Sequence, residues 1–170
     1  MAQTIQSSGC GVNIASGITV AMDQRTGHHQ DARFEGDRPL LTELSFPVKT
    51  YDIDFAGHVS NISYIRWLED LRLALLESYL PLQPQMESGT VPMVAETSIR
   101  YRRQVELFQT VRGCMWIESV GTVRAKLRAE FTVGGVVCAD ATQIGAFVDT
   151  RSGRPARVPE ALRCLFSNEA

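Results

Sequence analysis

The chain has 170 residues, 44% of them hydrophobic and 21% charged, with a formal net charge of −2. One domain with a substantial core is expected from that length. The charge balance gives no electrostatic case for nucleic acid or an anionic membrane surface, and no apolar run approaches the ~20 residues of a membrane-spanning helix.

Residues 1–39 are rich in Gly, Ser, Thr, Gln and Asp and show no sustained hydrophobic period. They read as a flexible extension without the basic and apolar regions of a secretory signal, and residues 40–170 as the folded domain. The adjacent His28 and His29 read as solvated rather than metal-binding. Cys10, Cys114, Cys138 and Cys164 are widely spaced, form no C-x-x-C pair, and lack paired His ligands. Free thiols in the cytoplasm are the expectation, and no metal is implied.

The first strand is expected over Leu41 to Tyr51, where Leu44, Phe46 and Val48 alternate with Ser45, Pro47 and Lys49. Pro47 cannot donate to a ladder, so this strand belongs at an edge or a bulge. Then comes Asp54-Phe55-Ala56-Gly57-His58-Val59-Ser60-Asn61. A carboxylate, a glycine, an imidazole and an amide here precede a long helical pattern. Ser60 or Asn61 is placed to cap a helix from about Asn61 to Tyr79, which Pro81 and Pro84 stop. Its ten apolar residues spread around the circumference, predicting burial on more than one side.

After a proline-containing loop the period becomes that of strands. Met93, Ala95, Thr97, Ile99 and Tyr101 predict one apolar face; Val94, Glu96, Ser98, Arg100 and Arg102 predict a polar one. Runs from Thr110 to Val120, Val123 to Val133 and Val136 to Val148 follow. Gly121-Thr122 and Gly134-Gly135 mark tight hairpins between them. The order reads as strand, helix, then four strands in a meander, with a short terminal helix over Pro159 to Phe166. This is an α+β arrangement in which an antiparallel sheet wraps a central helix. Such a sheet leaves edges that a homodimer or homotetramer would cover.

The set Asp54-x-x-Gly57-His58-Val59-x-Asn61-x-x-Tyr64, with its aromatic and acidic helix, resembles the hotdog-fold thioesterases of the 4-hydroxybenzoyl-CoA thioesterase type. Tyr64-Ile65-x-Trp67 and Tyr101-Arg102-Arg103 are also similar to the plant acyl-ACP thioesterases. The likeness to the plant enzymes is incomplete. Ala56 replaces their Asn, and Gln104-Val105 replaces their Glu-Cys, which favours a simpler Asp-based arrangement.

The resemblance implies hydrolysis of an acyl-CoA, or of an acyl carrier protein thioester, without a cofactor. Asp54 would be the nucleophile or general base. Gly57 would shape the turn, and the N–H of Asn61 would polarise the thioester oxygen. His58 is a candidate for orienting water or Asp54, with loop packing as its alternative. Asp52 reads as solvent-facing or structural, and Glu69 as a surface or pairing residue. Arg100, Arg102 and Arg103 are candidates for the phosphates of CoA or phosphopantetheine, with Arg124 and Arg128 further along. A hotdog hydratase or dehydratase and a non-catalytic acyl-binding protein are the alternatives. The first lacks its Asn-Pro signature here, and the second is disfavoured by the intact Asp54 and Gly57.

Overall fold

The computed structural model describes residues 37–169; the expected extension and the paired histidines lie outside the described residues, apart from residues 37–39. Arg38 lies over the ring of Trp116 at 4.5 Å and pairs with Glu130 at 2.6 Å. The carbonyl of Pro39 accepts from the N–H of Ile117. Contacts to the sheet thus begin ahead of Leu40.

The elements in order are β1 (Thr42–Pro47), α1 (Asn61–Tyr79), α2 (Leu82–Glu87), β2 (Thr90–Tyr101), β3 (Thr110–Val120), β4 (Arg124–Val133), β5 (Val136–Asp149) and α3 (Glu160–Glu169). The strands form one antiparallel sheet in the order β1-β3-β4-β5-β2, with α1 against one face. This is the α+β arrangement that the pattern predicts.

The bounds of α1 match the expected ones because local chemistry sets both ends. Ser60 Oγ accepts from the N–H of Ile62 at 3.1 Å, and Pro81 follows one residue after the C-cap Leu80. The β4–β5 turn is equally local: Gly134 and Gly135 have φ of 57° and 80°, as a two-residue primed turn requires.

Other expectations need correction. The four later strands do not form a simple meander, because β2 pairs with β5 rather than with β3. The link from Arg102 to Gln109 is long enough to carry the chain past the sheet, so adjacency in sequence does not fix the neighbour. β1 is shorter than expected: after Pro47 the chain turns into a 3₁₀ turn over Thr50–Asp52. The proline loop holds α2, since Pro84 falls in the first turn, where its missing N–H costs nothing. Helix α1 buries one face only, through Tyr64, Trp67, Leu68, Leu71, Leu75 and Leu76; Ile62, Ile65 and Leu73 are exposed.

The alternation predicted for β2 holds from Thr97 to Tyr101 and fails before it. A bulge between Val94 and Glu96 leaves Ala95 without a register partner and shifts the face. Pro92, Val94, Thr97, Ile99 and Tyr101 therefore stand opposite the inward residues Phe147, Gly145, Gln143, Ala141 and Ala139 of β5. Met93 belongs to the other side. Neither face of β2 is well buried, and its outer edge carries no partner strand among the described residues.

An aromatic cluster fills one end of the core. Phe46 stacks on Trp67 at 5.3 Å, and Tyr64 meets Trp67 and Phe131 edge-on at 5.1 and 5.3 Å. Gly113 makes room for it: a Cβ there would sit 2.7 Å from the Phe46 ring and 3.2 Å from that of Phe131.

Candidate active site

The stretch from Asp52 to Ser60 is tied at both ends. An antiparallel bridge joins Ile53 and Val59, and inside it the Asp54 N–H donates to the His58 carbonyl at 3.0 Å. The Gly57 N–H closes a turn on the Asp54 carbonyl, also at 3.0 Å, and Gly57 has φ of 80°, in the left-handed region. The Asp54 Oδ1 accepts from the N–H of Ala56 at 2.8 Å. No described residue donates to its Oδ2, and the side chain is exposed. A second tie runs from the Val59 N–H to the Val105 carbonyl at 2.8 Å and joins this loop to the link before β3.

Asp52 is buried, and of its two expected settings the structural one holds. Its Oδ2 accepts from the Lys49 N–H, and its carbonyl accepts from the N–H of Ser60 at 2.7 Å and the hydroxyl of Ser63 at 3.3 Å. This residue pins the start of α1 to the end of β1. With the second N–H of α1 capped by Ser60 Oγ and the third held by the Ser60 carbonyl, the Asn61 N–H has no acceptor among the described residues. The positive end of the helix dipole adds to that donor.

Asp54, His58, Asn61, Arg102 and Arg103 line one open cleft of about 260 Å³, together with Ala56, Tyr64, Tyr101, Gln104 and Val105. Gly57 does not line it. Arg100 does not reach it, because it faces outward opposite Asp140. Arg102 is held in an ion pair with that same Asp140, and its N–H and that of Arg103 both donate to the Cys138 carbonyl. Arg103 makes no ion pair among the described residues. Arg124 and Arg128 face outward far from the cleft, and Arg128 donates to Thr142 Oγ1 at 2.9 Å. Glu69 is exposed and pairs with Arg72.

Tyr64 and Tyr101 meet edge-on at 5.2 Å in the cleft wall. Burial raises both phenols above their ordinary range, Tyr64 by much more, so both stay neutral at physiological pH. No cysteine lines the cleft, although the Cys138 carbonyl holds the backbone of Arg102 and Arg103 at its rim. Burial, then the hydrogen bond to Glu43, pushes the Cys114 thiol up to about 11, and burial also raises Cys138. Among the described residues no cluster of His, Cys, Asp and Glu could hold a metal, and no helix is long and apolar enough to cross a membrane.

Sequence reasoning missed two features. The fully exposed Phe55 sits beside Asp54, and Phe108, in the link before β3, is 89% exposed with φ of 71°. The signal for Phe55 was present, since an aromatic inside a tight polar loop has no local core to enter.

A protein with an acceptor carboxylate, a free helix-terminal N–H and a cleft between them has the parts for carbonyl chemistry. Known proteins bear on this. A comparison with curated protein sequences finds no match. Among solved structures, the chain is similar to a DHNA-CoA thioesterase from Staphylococcus aureus, at 14% identity over 75% of this chain and 89% of that one, with a TM-score of 0.69. It is similar to a second S. aureus protein, solved in complex with CoA, at 15% identity over 79% and 85% of the two chains, with a TM-score of 0.71. A probable thioesterase from Escherichia coli gives 22% identity over 75% and 97%, with a TM-score of 0.67. These likenesses establish the hotdog-type fold. The profile of the thioesterase-like superfamily matches residues 48–165, well over half of the chain, which spans the cleft and strands β2 to β5 but not β1. The chain belongs to the thioesterase-like superfamily.

Proposed function

We propose that the protein hydrolyses the thioester of an acyl-CoA to a free acid and a thiol, within the 4-hydroxybenzoyl-CoA thioesterase type of its superfamily. The observation that carries this reading is the shared cleft: Asp54, whose Oδ2 receives no donor among the described residues, and Asn61, whose N–H has no acceptor among them, line the same space. In this reading the thioester oxygen lies against the Asn61 N–H at the positive end of α1, and negative charge developing there is stabilised. Asp54 attacks the carbonyl carbon directly or takes a proton from the attacking water; the same position serves both routes. The bond from Ala56 N–H to Oδ1 fixes the carboxylate and leaves the other oxygen to react. Gly57 keeps the turn, and His58 stands in the cleft wall within the same loop.

Arg103, at the cleft rim and without an ion-pair partner among the described residues, is the best placed of the candidate arginines for a phosphate of CoA or of a carrier-bound phosphopantetheine. Arg102 shares the rim but is engaged with Asp140, and Arg100 would act only from the opposite face. The long open edge of β2 supports a homodimer or homotetramer. The free thiols at Cys114, Cys138 and Cys164 suit the cytoplasm.

The test is release of thiol from a panel of acyl-CoAs. The Asp54→Asn variant is expected to lose about 10²–10⁴-fold in kcat/KM with an unchanged circular dichroism spectrum. Full activity in folded Asp54→Asn protein would end the assignment.

A further inference from the structure

The apolar part of the cleft is a closed floor. Tyr64, Val59 and Val105 line the cleft and are all buried, and the Val59 N–H to Val105 carbonyl bond joins loop to link there. Behind Tyr64 the interior is filled. Its ring meets Trp67 at 5.1 Å and Phe131 at 5.3 Å, both edge-on, and Phe131 is fully buried. A methyl group added at Gly113 would stand 2.7 Å from the Phe46 ring and 3.1 Å from Leu71 Cδ1. Further along α1, Leu68 and Leu71 are fully buried, and Arg72 Nη1 donates to Gln143 Oε1 at 3.3 Å. The gap beyond them, walled by Leu75, Leu76 and Phe147, holds about 40 Å³ and shares no residue with the cleft.

Interiors packed to this density resist even one added methylene, so a hydrocarbon chain could pass Tyr64 only by displacing buried rings. Beside the floor the walls are polar: Asp54, His58, Asn61, Arg102, Arg103 and Gln104. A tail that outgrows the floor lies over these groups or in water, and its added methylenes gain nothing. In a tunnel, by contrast, each buried methylene would strengthen binding about fourfold. The room is small as well. The cleft of about 260 Å³ holds roughly nine groups at the ~30 Å³ share of a water molecule. The carbon, oxygen and sulfur of the thioester take three of those places.

Resting on the thioesterase reading, we infer that the substrate carries a short acyl group, of about six carbons or fewer, and that Tyr64 sets this limit as the floor of the site.

Straight-chain acyl-CoAs from acetyl to dodecanoyl test this, with released thiol as the readout. In the wild-type protein kcat/KM is expected to climb about two- to fourfold per methylene up to about hexanoyl-CoA, and to gain no more than about twofold in all from there to dodecanoyl-CoA. Tyr64→Leu, which removes the ring but keeps an apolar residue, should move that break about two carbons further. A climb that continues through decanoyl-CoA, with cleavage still dependent on Asp54, would overturn the short-chain limit and leave the thioesterase reading standing. An unchanged break in folded Tyr64→Leu protein would overturn the role of Tyr64. If that variant does not fold, the wild-type profile decides the limit, and Val105→Ala, which should move the break by about one carbon, tests the floor beside Tyr64. If no thioester is cleaved, the thioesterase reading falls, and titration calorimetry with the same acyl-CoAs decides the limit. Affinity that levels off near hexanoyl-CoA supports it, and affinity that keeps rising to dodecanoyl-CoA overturns it.

Discussion

The aromatic core and the Asp54 loop meet at Tyr64 and follow opposite rules. In the core, the rings of Phe46, Trp67, Tyr64 and Phe131 pack together from three elements, β1, α1 and β4, and even the backbone of Gly113 is spoken for. In the loop, a few backbone hydrogen bonds hold the shape while the carboxylate oxygen and a helix N–H stay open. One region is over-determined, and the other holds unused valences in place. The contrast teaches that the site's precision is borrowed: Val59 is tied to Val105 and Asp52 to Ser60, so the rigid body aims the loop.

Four changes should break or sharpen this contrast. The largest effect on stability is expected for Phe131→Ala, which removes a fully buried ring and should cost about 3–5 kcal/mol in chemical denaturation. The Asp54→Asn change described above should leave that midpoint where it is. A comparable loss of stability from both would mean that the loop is part of the core after all. Gly57→Ala comes next. No atom stands within 4 Å of the added methyl, so its cost is the left-handed backbone alone, about 1–2 kcal/mol. Because the same strain shifts Asp54, kcat/KM should fall by more than the stability loss alone explains, measured well below the melting temperature. A variant with unchanged kinetics would show that the turn does not aim the carboxylate.

The smallest effect concerns pH. Tyrosines ionise near 10 in the unfolded chain, whereas burial holds Tyr64 well above that and Tyr101 above it by less. Above that value the native state therefore binds more protons than the unfolded one. The stability from these phenols is present in full below about pH 10 and falls as pH rises beyond it. Denaturation midpoints should decline there, and Tyr64→Phe should flatten the decline. An identical decline in the variant would assign it to other groups.

How much was legible in the chain differs between the same two regions. The loop and the start of α1 could be read closely, because the Ser60 cap, Gly57 and the carboxylate act within a few residues of one another. The core could be read as composition but not as geometry: the apolar residues of α1 were identified, yet their spread around the helix predicted two-sided burial that Ile62, Ile65 and Leu73 do not have. Asp52 could not be assigned one setting, because its buried state depends on Ser60 and Ser63 folding back over it.

The sequence by itself determined the elements whose causes are local. These are α1 between its cap and its proline, the Gly134-Gly135 turn, the period-2 runs of β3, β4 and β5, and the motif around Asp54. Tertiary structure alone decided that β2 lies beside β5, that a bulge at Ala95 turns Val94 inward in place of Met93, and that Arg72 reaches Gln143 across the sheet. The reason is physical. A turn or a cap is selected by energies within a few residues, whereas strand order and register are chosen by contacts between distant segments, and a single inserted residue reverses which side chains face the core.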